Sequence, residues 1–274
     1  LHAVTPALLD AAFLALKKNA AAGIDGVMWR DYEANRASNL RSLHARLHRG
    51  TYRPKASRRQ YIPKADGRLR PLGIAALEDK IVQSALVSVL NAVYEEDFVG
   101  FSYGFRPGRG QHDALDALAV GMDRAKVNWV VDADIKECFG SMDSERMLGL
   151  LAGWEAPEPI RRLVGRWLAA RVWNGWAGRR VAGTAQGGVI SPLLCNVYLH
   201  PFDAAMEGRG RTLVRYADDF VVLTRDERSA RAELVRATAE LERLGLAIHP
   251  QKTRITSFDE GFQFVGYFFV RDEM

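Results

Sequence analysis

A chain of 274 residues with 48% hydrophobic and 26% charged content can bury a sizeable core, which excludes a disordered chain. No apolar run approaches the length of a membrane span, and the opening "LHAVTPALLD" lacks the basic-then-apolar form of a signal peptide. The net charge is +5 with a pI near 9.3, but the excess is local: residues 41–70 carry Arg41, Arg46, Arg49, Arg53, Lys55, Arg58, Arg59, Lys64, Arg68 and Arg70 against the single acid Asp66, which points to a polyanionic partner.

The stretch from Thr5 reads as an opening helix, capped by Thr5 with Pro6 in its first turn and broken at Gly23 and Gly26. A second helix is expected over residues 30–49. Residues 51–74 change character: Tyr61 and Ile62 lead into "KADG" and then residues 69–74, a basic hairpin. Helical spacing of Ile81, Ala85, Leu86, Val89, Leu90 and Val93 predicts a core helix over 77–93. A loop of Gly, Arg and aromatic residues, "FSYGFRPGRGQHDAL", runs into another helix.

The β-rich run "VNWVVDADI" predicts a strand, whose period of two places Asp132 and Asp134 on one face and Val131 and Ala133 on the other. An amphipathic helix follows, with Ile160, Leu163, Val164, Trp167 and Leu168 opposite Arg161, Arg162 and Arg166. With Arg171, Arg179 and Arg180 these make a second basic cluster. "GTAQGGVISPLLCNVYLHPFD" reads as a Gly-rich turn opening an apolar helix. A hairpin over 212–223 holds Asp218 and Asp219 at its tip. The last helix presents Ala230, Leu234, Ala237, Leu241 and Leu244 and stops at Gly245. "LAIHPQKTRI" and "FQFVGYFFV" close the chain as strands. Cys138 and Cys195 have no partner at metal-ligand or redox-motif spacing and read as small core residues in a reducing, cytoplasmic setting.

An Asp-Asp pair alone is ordinary turn chemistry. Asp134 changes its meaning. Strand, helix, acidic hairpin, helix, strand can form an antiparallel sheet backed by helices, an α+β arrangement in which the acidic strands are neighbours and Asp134 meets Asp218. Three carboxylates with no His or Cys nearby suit Mg²⁺ or Mn²⁺ better than zinc, and point to two-metal nucleotidyl transfer.

The blocks "YIPKADGRLRPLGIAALEDKIVQ", "FSYGFRPGRGQHDAL", "DADIKECF", "GTAQGGVISPLLCNVYL", "VRYADDFVVL", "HPQKTRI" and "FVGYFF" resemble, in order, those of the reverse transcriptases encoded by bacterial group II introns and their relatives. The resemblance runs almost end to end. It implies a right-hand polymerase of fingers and palm with the thumb largely absent: residues 1–126 as fingers with a basic fingertip hairpin at about 51–74, and residues 127–274 as palm, with fingers elements interleaved at about 150–185.

It also implies roles. Asp134, Asp218 and Asp219 are the catalytic acids and, with the carbonyl of Ile135, the metal ligands, while Asp132 is structural or supporting. Lys64, Arg70, Phe139, Gln186 and Lys252 would bind the nucleotide: Lys64 and Arg70 gripping the triphosphate, Phe139 under the sugar, Gln186 above it, and Lys252 placed to protonate pyrophosphate. Gly187 and Gly188 would let backbone approach closely. Tyr216 would touch the primer end, and Tyr103, Phe105, Arg106 and Arg109 the template. The implied cofactors are two Mg²⁺ ions, replaceable by Mn²⁺. The implied partners are an RNA template, a DNA or RNA primer and dNTPs, with no membrane.

The sequence departs from the family pattern at Gly140, where many relatives have Asp, and at Ala185, where many have Pro; neither is a metal ligand. The short link between Phe202 and Arg211, and the end after "FVGYFFVRDEM" without thumb, maturase or endonuclease segments, lean the expected setting from intron mobility toward a CRISPR integrase partner or a domesticated defence enzyme. The chain opens without Met, so a fragment or processed form is expected. The rival reading is an RNA-binding, maturase-like splicing cofactor with a vestigial polymerase site, against which the intact acids argue.

Overall fold

The computed structural model describes residues 1–63, 67, 69–124, 127–173, 178–180, 183–184, 187–208 and 212–270, with backbone only at 124 and 178–180. Lys64, Arg68 and Gln186 lie outside the described residues. In chain order the elements are α1 (Pro6–Ala15), α2 (Trp29–Glu33), α3 (Arg36–His48), β1 (Ser57–Pro63), β2 (Leu69–Ile74), α4 (Leu77–Tyr94), α5 (Gln111–Arg124), β3 (Trp129–Asp134), α6 (Cys138–Ser141), α7 (Ser144–Gly153), α8 (Glu158–Leu168), β4 (Arg171–Trp173), β5 (Gly178–Arg180), α9 (Ser191–Met206), β6 (Thr212–Tyr216), β7 (Asp219–Thr224), α10 (Glu227–Arg243), β8 (Arg254–Ser257), β9 (Phe262–Phe264) and β10 (Tyr267–Phe269).

The chain forms two compact units. One comprises Leu1–Val93 and Met142–Leu194, the other Tyr94–Ser141 and Cys195–Met274.

The first unit holds a sheet ordered β2-β1-β4-β5, in which the expected basic hairpin is the antiparallel pair β1 and β2, with Ile62 opposite Arg70. Thr5 caps α1 by accepting from the Leu8 amide at 3.1 Å, but the helix ends at Leu16, well short of Gly23. Gly23 instead permits a close approach of backbone to backbone. A Cβ there would stand 2.5 Å from the Ala76 Cα, so only glycine fits. The single helix expected over 30–49 is two, divided at Asn35. Short α2 turns Trp29 and Tyr32 onto Phe13 of α1, at ring separations of 4.7 and 5.5 Å, and the Trp29 indole donates to the Phe13 carbonyl. Burying both rings outweighs one continuous helix.

Asp79 of α4 is 3% exposed and accepts from the Tyr52 hydroxyl and the Lys55 amide. Burial holds its carboxyl up at about 6, despite those donors.

In the second unit an antiparallel sheet is ordered β6-β7-β3-β8. Val131, Ala133, Phe220 and Val222 lie on one face, where Phe202 of α9 meets Phe220 ring to ring at 5.2 Å and α10 packs against β3, β7 and β8. Val130, Val214, Val221 and Leu223 lie on the other, in a cluster with Ala114, Leu115 and Leu118 of α5 and Phe262, Phe264 and Phe269 of the β9–β10 hairpin. Cover on both faces explains why residues 220–224 are buried without alternation. Cys138 and Cys195 are both core residues, as expected, and the fold brings their sulfurs to 3.8 Å; the neighbouring thiol and burial push the Cys138 thiol up.

Candidate active site

Register assembles the acids. Asp134, the last residue of β3, pairs directly with Asp219, the first of β7, and Asp132 pairs with Val221, so all three acids project to the α5 face. Asp218 sits in the turn joining β6 to β7 and is tied to β3 because the Ile135 amide donates to its carbonyl at 2.9 Å. Tyr216 closes the same turn opposite Asp219 and is half-buried.

Beyond β3 the chain stays bound to the segment before β8. The Lys136 amide donates to the Ala247 carbonyl at 2.9 Å, and the His249 amide to the Asp134 carbonyl at 2.7 Å. A tight turn after His249 then brings the Lys252 ammonium to 2.6 Å from the Asp134 carboxylate. Asp132 is 5% exposed and paired with Arg254 at 3.2 Å.

Two of these acids, Asp219 and Asp132, resist ionisation. Burial first, then the charges of Asp132, Asp134 and Asp218, push the Asp219 carboxyl up to about 7, and Lys252 opposes the rise. Burial lifts Asp132 to about 6 against Arg254. The site is therefore short of positive charge. Its oxygen donors, three carboxylates and the Ile135 carbonyl, are hard ligands of the kind that suit a small divalent cation. Among the described residues no three His, Cys, Asp or Glu side chains close into a cage around one point.

The other expected residues divide by location. Phe139 is only half-buried and packs edge-on against Phe105, with ring centroids 6.2 Å apart. Phe105 itself is 45% exposed with φ 64. Arg106 faces inward: 5% exposed, it pairs with Glu95 at 2.9 Å and donates to the carbonyls of Val99, Ser102 and Phe98, so it braces the loop from inside. Arg109 lies 5.5 Å over the half-buried Tyr103 ring and donates to the carbonyls of Gly100 and Ser102. Arg70 is exposed on β2, in the first unit. In the basic tracts Arg46 pairs with Glu78, Lys55 with Asp25, Arg58 holds the Ala22 carbonyl, and Arg161 and Arg162 both meet Glu158. Arg41 and Arg70 stand exposed.

Sequence reasoning does not single out one further residue that the fold makes prominent. Arg215, the buried cation of β6, is 0% exposed and donates five hydrogen bonds: to both Asp203 oxygens at 2.7 and 2.5 Å, to Asn196 Oδ1 at 3.3 Å, to Ser102 Oγ at 2.7 Å and to the Ala217 carbonyl at 2.7 Å. Its one sequence signal is a charged residue in the otherwise apolar first half of "TLVRYADDFVVL".

Comparison with known proteins agrees with this arrangement. The family described as "Reverse transcriptase (RNA-dependent DNA polymerase)" matches residues 62–269. The chain is 31% identical to Protein YkfC of Escherichia coli (strain K12), over 96% of this chain and 80% of that one. It is 33% identical to the Group II intron-encoded protein LtrA of Lactococcus lactis subsp. cremoris, over 74% of this chain and 34% of LtrA. The solved structure of apo telomerase from Candida Tropicalis truncated from its C-terminal domain shares the fold, with a TM-score of 0.59 at 14% identity, covering 85% of this chain and 58% of that one. The chain thus spans most of YkfC, about a third of LtrA and little over half of the telomerase. It belongs to the reverse transcriptase (RNA-dependent DNA polymerase) family.

Proposed function

We propose that this chain copies RNA into DNA, adding dNTPs to the 3′-hydroxyl of a DNA or RNA primer. The observation that carries the reading is the direct pairing of Asp134 with Asp219, with Asp218 in the adjoining turn. The oxygen chemistry of Asp134, Asp218, Asp219 and the Ile135 carbonyl suits Mg²⁺, or Mn²⁺ in its place, and the reading assigns them two such ions. Such ions, when bound, supply a lowered pKa at the attacking hydroxyl and charge neutralisation at the leaving phosphate.

The protein's own groups do the rest. Lys252, which pairs with Asp134, is assigned the proton for the departing pyrophosphate. Phe139 offers a half-exposed ring for the incoming sugar to rest on, where a 2′-hydroxyl would collide with it. Tyr216 is assigned to the primer end. Tyr103 and Arg109 offer stacking and a cation to the template, and Arg106 keeps their loop in shape. Lys64, Arg70 and Gln186 are assigned to nucleotide binding, residues 1–126 to the fingers, 127–274 to the palm and about 150–185 to interleaved fingers elements. Similarity to LtrA supports a group II intron-like lineage and favours an intron RNA partner over a CRISPR integrase.

The test is primer extension by the purified chain on matched RNA and DNA templates with Mg²⁺. Extension on RNA supports the reading. A chain that binds the RNA duplex yet adds no nucleotide to it fits the splicing-cofactor reading instead.

A further inference from the structure

Arg215 presents a physical problem. A buried ion pair is seldom more stable than apolar residues of the same volume, so the neighbours Leu213 and Val214 would have been served as well by another aliphatic side chain. All five guanidinium N–H groups are nonetheless used, four of them on Asp203, Asn196 and Ser102, which leaves one for a backbone atom: the Ala217 carbonyl.

Ala217 has φ 60, the left-handed region that a Cβ disfavours. Two-residue turns with a positive φ at this first central position ordinarily carry glycine there. Alanine holds the conformation because its surroundings impose it. From one side Arg215 clamps its carbonyl. From the other the backbone of Gly104 lies so close to the Ala217 amide that no side chain fits at 104, and Asn196 ties the Gly104 carbonyl to the same network at 2.9 Å. The next residue is Asp218.

We propose that Arg215 is a positioning residue for polymerisation: its guanidinium holds the Ala217 carbonyl, and with it the strained turn that aims Asp218. This inference rests on the polymerase reading of the site. Misplacing a catalytic group by about 1 Å can lower a rate by roughly a hundredfold, so a turn free to relax is costly even when the fold survives.

Two variants separate aiming from mere stability. Arg215→Lys keeps a cation opposite Asp203 but cannot span Asp203 and the Ala217 carbonyl together. The pair Arg215→Met with Asp203→Leu removes both charges and leaves no buried ion uncompensated. In whichever variant folds, kcat falls roughly ten- to a hundredfold, the loss of one charge-assisted hydrogen bond, while the KM for dNTP and the affinity for primer–template hold. Hydrogen exchange without metal speeds up in the peptide covering residues 212–220 and stays slow in β3. Adding Ala217→Gly, which adopts φ 60 without strain, restores part of kcat in the same variant.

Unchanged kcat per folded molecule, unchanged exchange at 212–220, or no recovery with Ala217→Gly overturns the proposal. If the unmodified chain extends no primer, the polymerase reading falls by itself, and the exchange comparison still decides whether Arg215 holds the turn.

Discussion

Replacing Phe139 with Ala sets two effects of different size against each other. A fully buried Phe truncated to Ala costs about 3–5 kcal/mol. Phe139 is half-buried, with one edge-on partner in Phe105, so the loss should be nearer ~2 kcal/mol, a fall in Tm of roughly 4–8 °C for a chain of this size. Discrimination is a separate quantity. A contact that excludes one additional group from a pocket separates substrates by about 10- to 200-fold. If the Phe139 ring is that contact, Phe139→Ala raises rNTP incorporation relative to dNTP by at least about tenfold and leaves dNTP turnover within a few-fold. The assay is single-nucleotide incorporation of each substrate on one RNA template, beside a melting curve. An unchanged ratio with a Tm drop appropriate to a core residue refutes the reasoning, because the ring would then be packing and not a gate.

Reversing the exposed Arg41 and Arg70 to Glu weakens primer–template binding and lowers the slope of log K against log salt by roughly 0.7 to 0.9 for each phosphate no longer neutralised; an unchanged slope makes these residues a solvated face. The same change at Arg58 should act mainly on stability, since its guanidinium holds the Ala22 carbonyl. Asp79 supplies a pH signature: its folded carboxyl titrates at about 6 against 3.8 for an unperturbed Asp, so the folded state binds the extra proton in that window. Its contribution is present below about pH 4 and is lost as pH rises through about 6, on the order of 3 kcal/mol in all. Asp79→Asn removes that slope in denaturant melts, and a parallel slope in the variant contradicts the assignment.

The acids are legible in the sequence because β3 carries a period of two and Asp218 and Asp219 fall where a hairpin turn is expected, and the observed register brings Asp134 beside them. Their supports are less so. In a sheet covered on both faces, Leu213, Val214 and Arg215 are all buried, so alternation gives no sign that Arg215 turns toward α9. A Gly- and Arg-rich loop resembles a phosphate contact, which points Arg106 outward, and only the carbonyls of Phe98, Val99 and Ser102 show why it turns in. The break at Asn35 comes from rings seeking Phe13 across the chain, a tertiary preference with no local mark. The proximity of Cys138 to Cys195 is likewise a product of packing.

The central claim is that Asp134, Asp218 and Asp219 carry nucleotidyl transfer on RNA. It is tested most directly by rapid-quench incorporation of one dNTP into a pre-bound RNA–primer duplex, comparing the unmodified chain with Asp218→Ala. Removing a group that anchors transition-state charge should cost several kcal/mol, a fall of roughly a thousandfold or more in rate, with duplex affinity and Tm little changed. Equal rates in the two proteins would contradict the account.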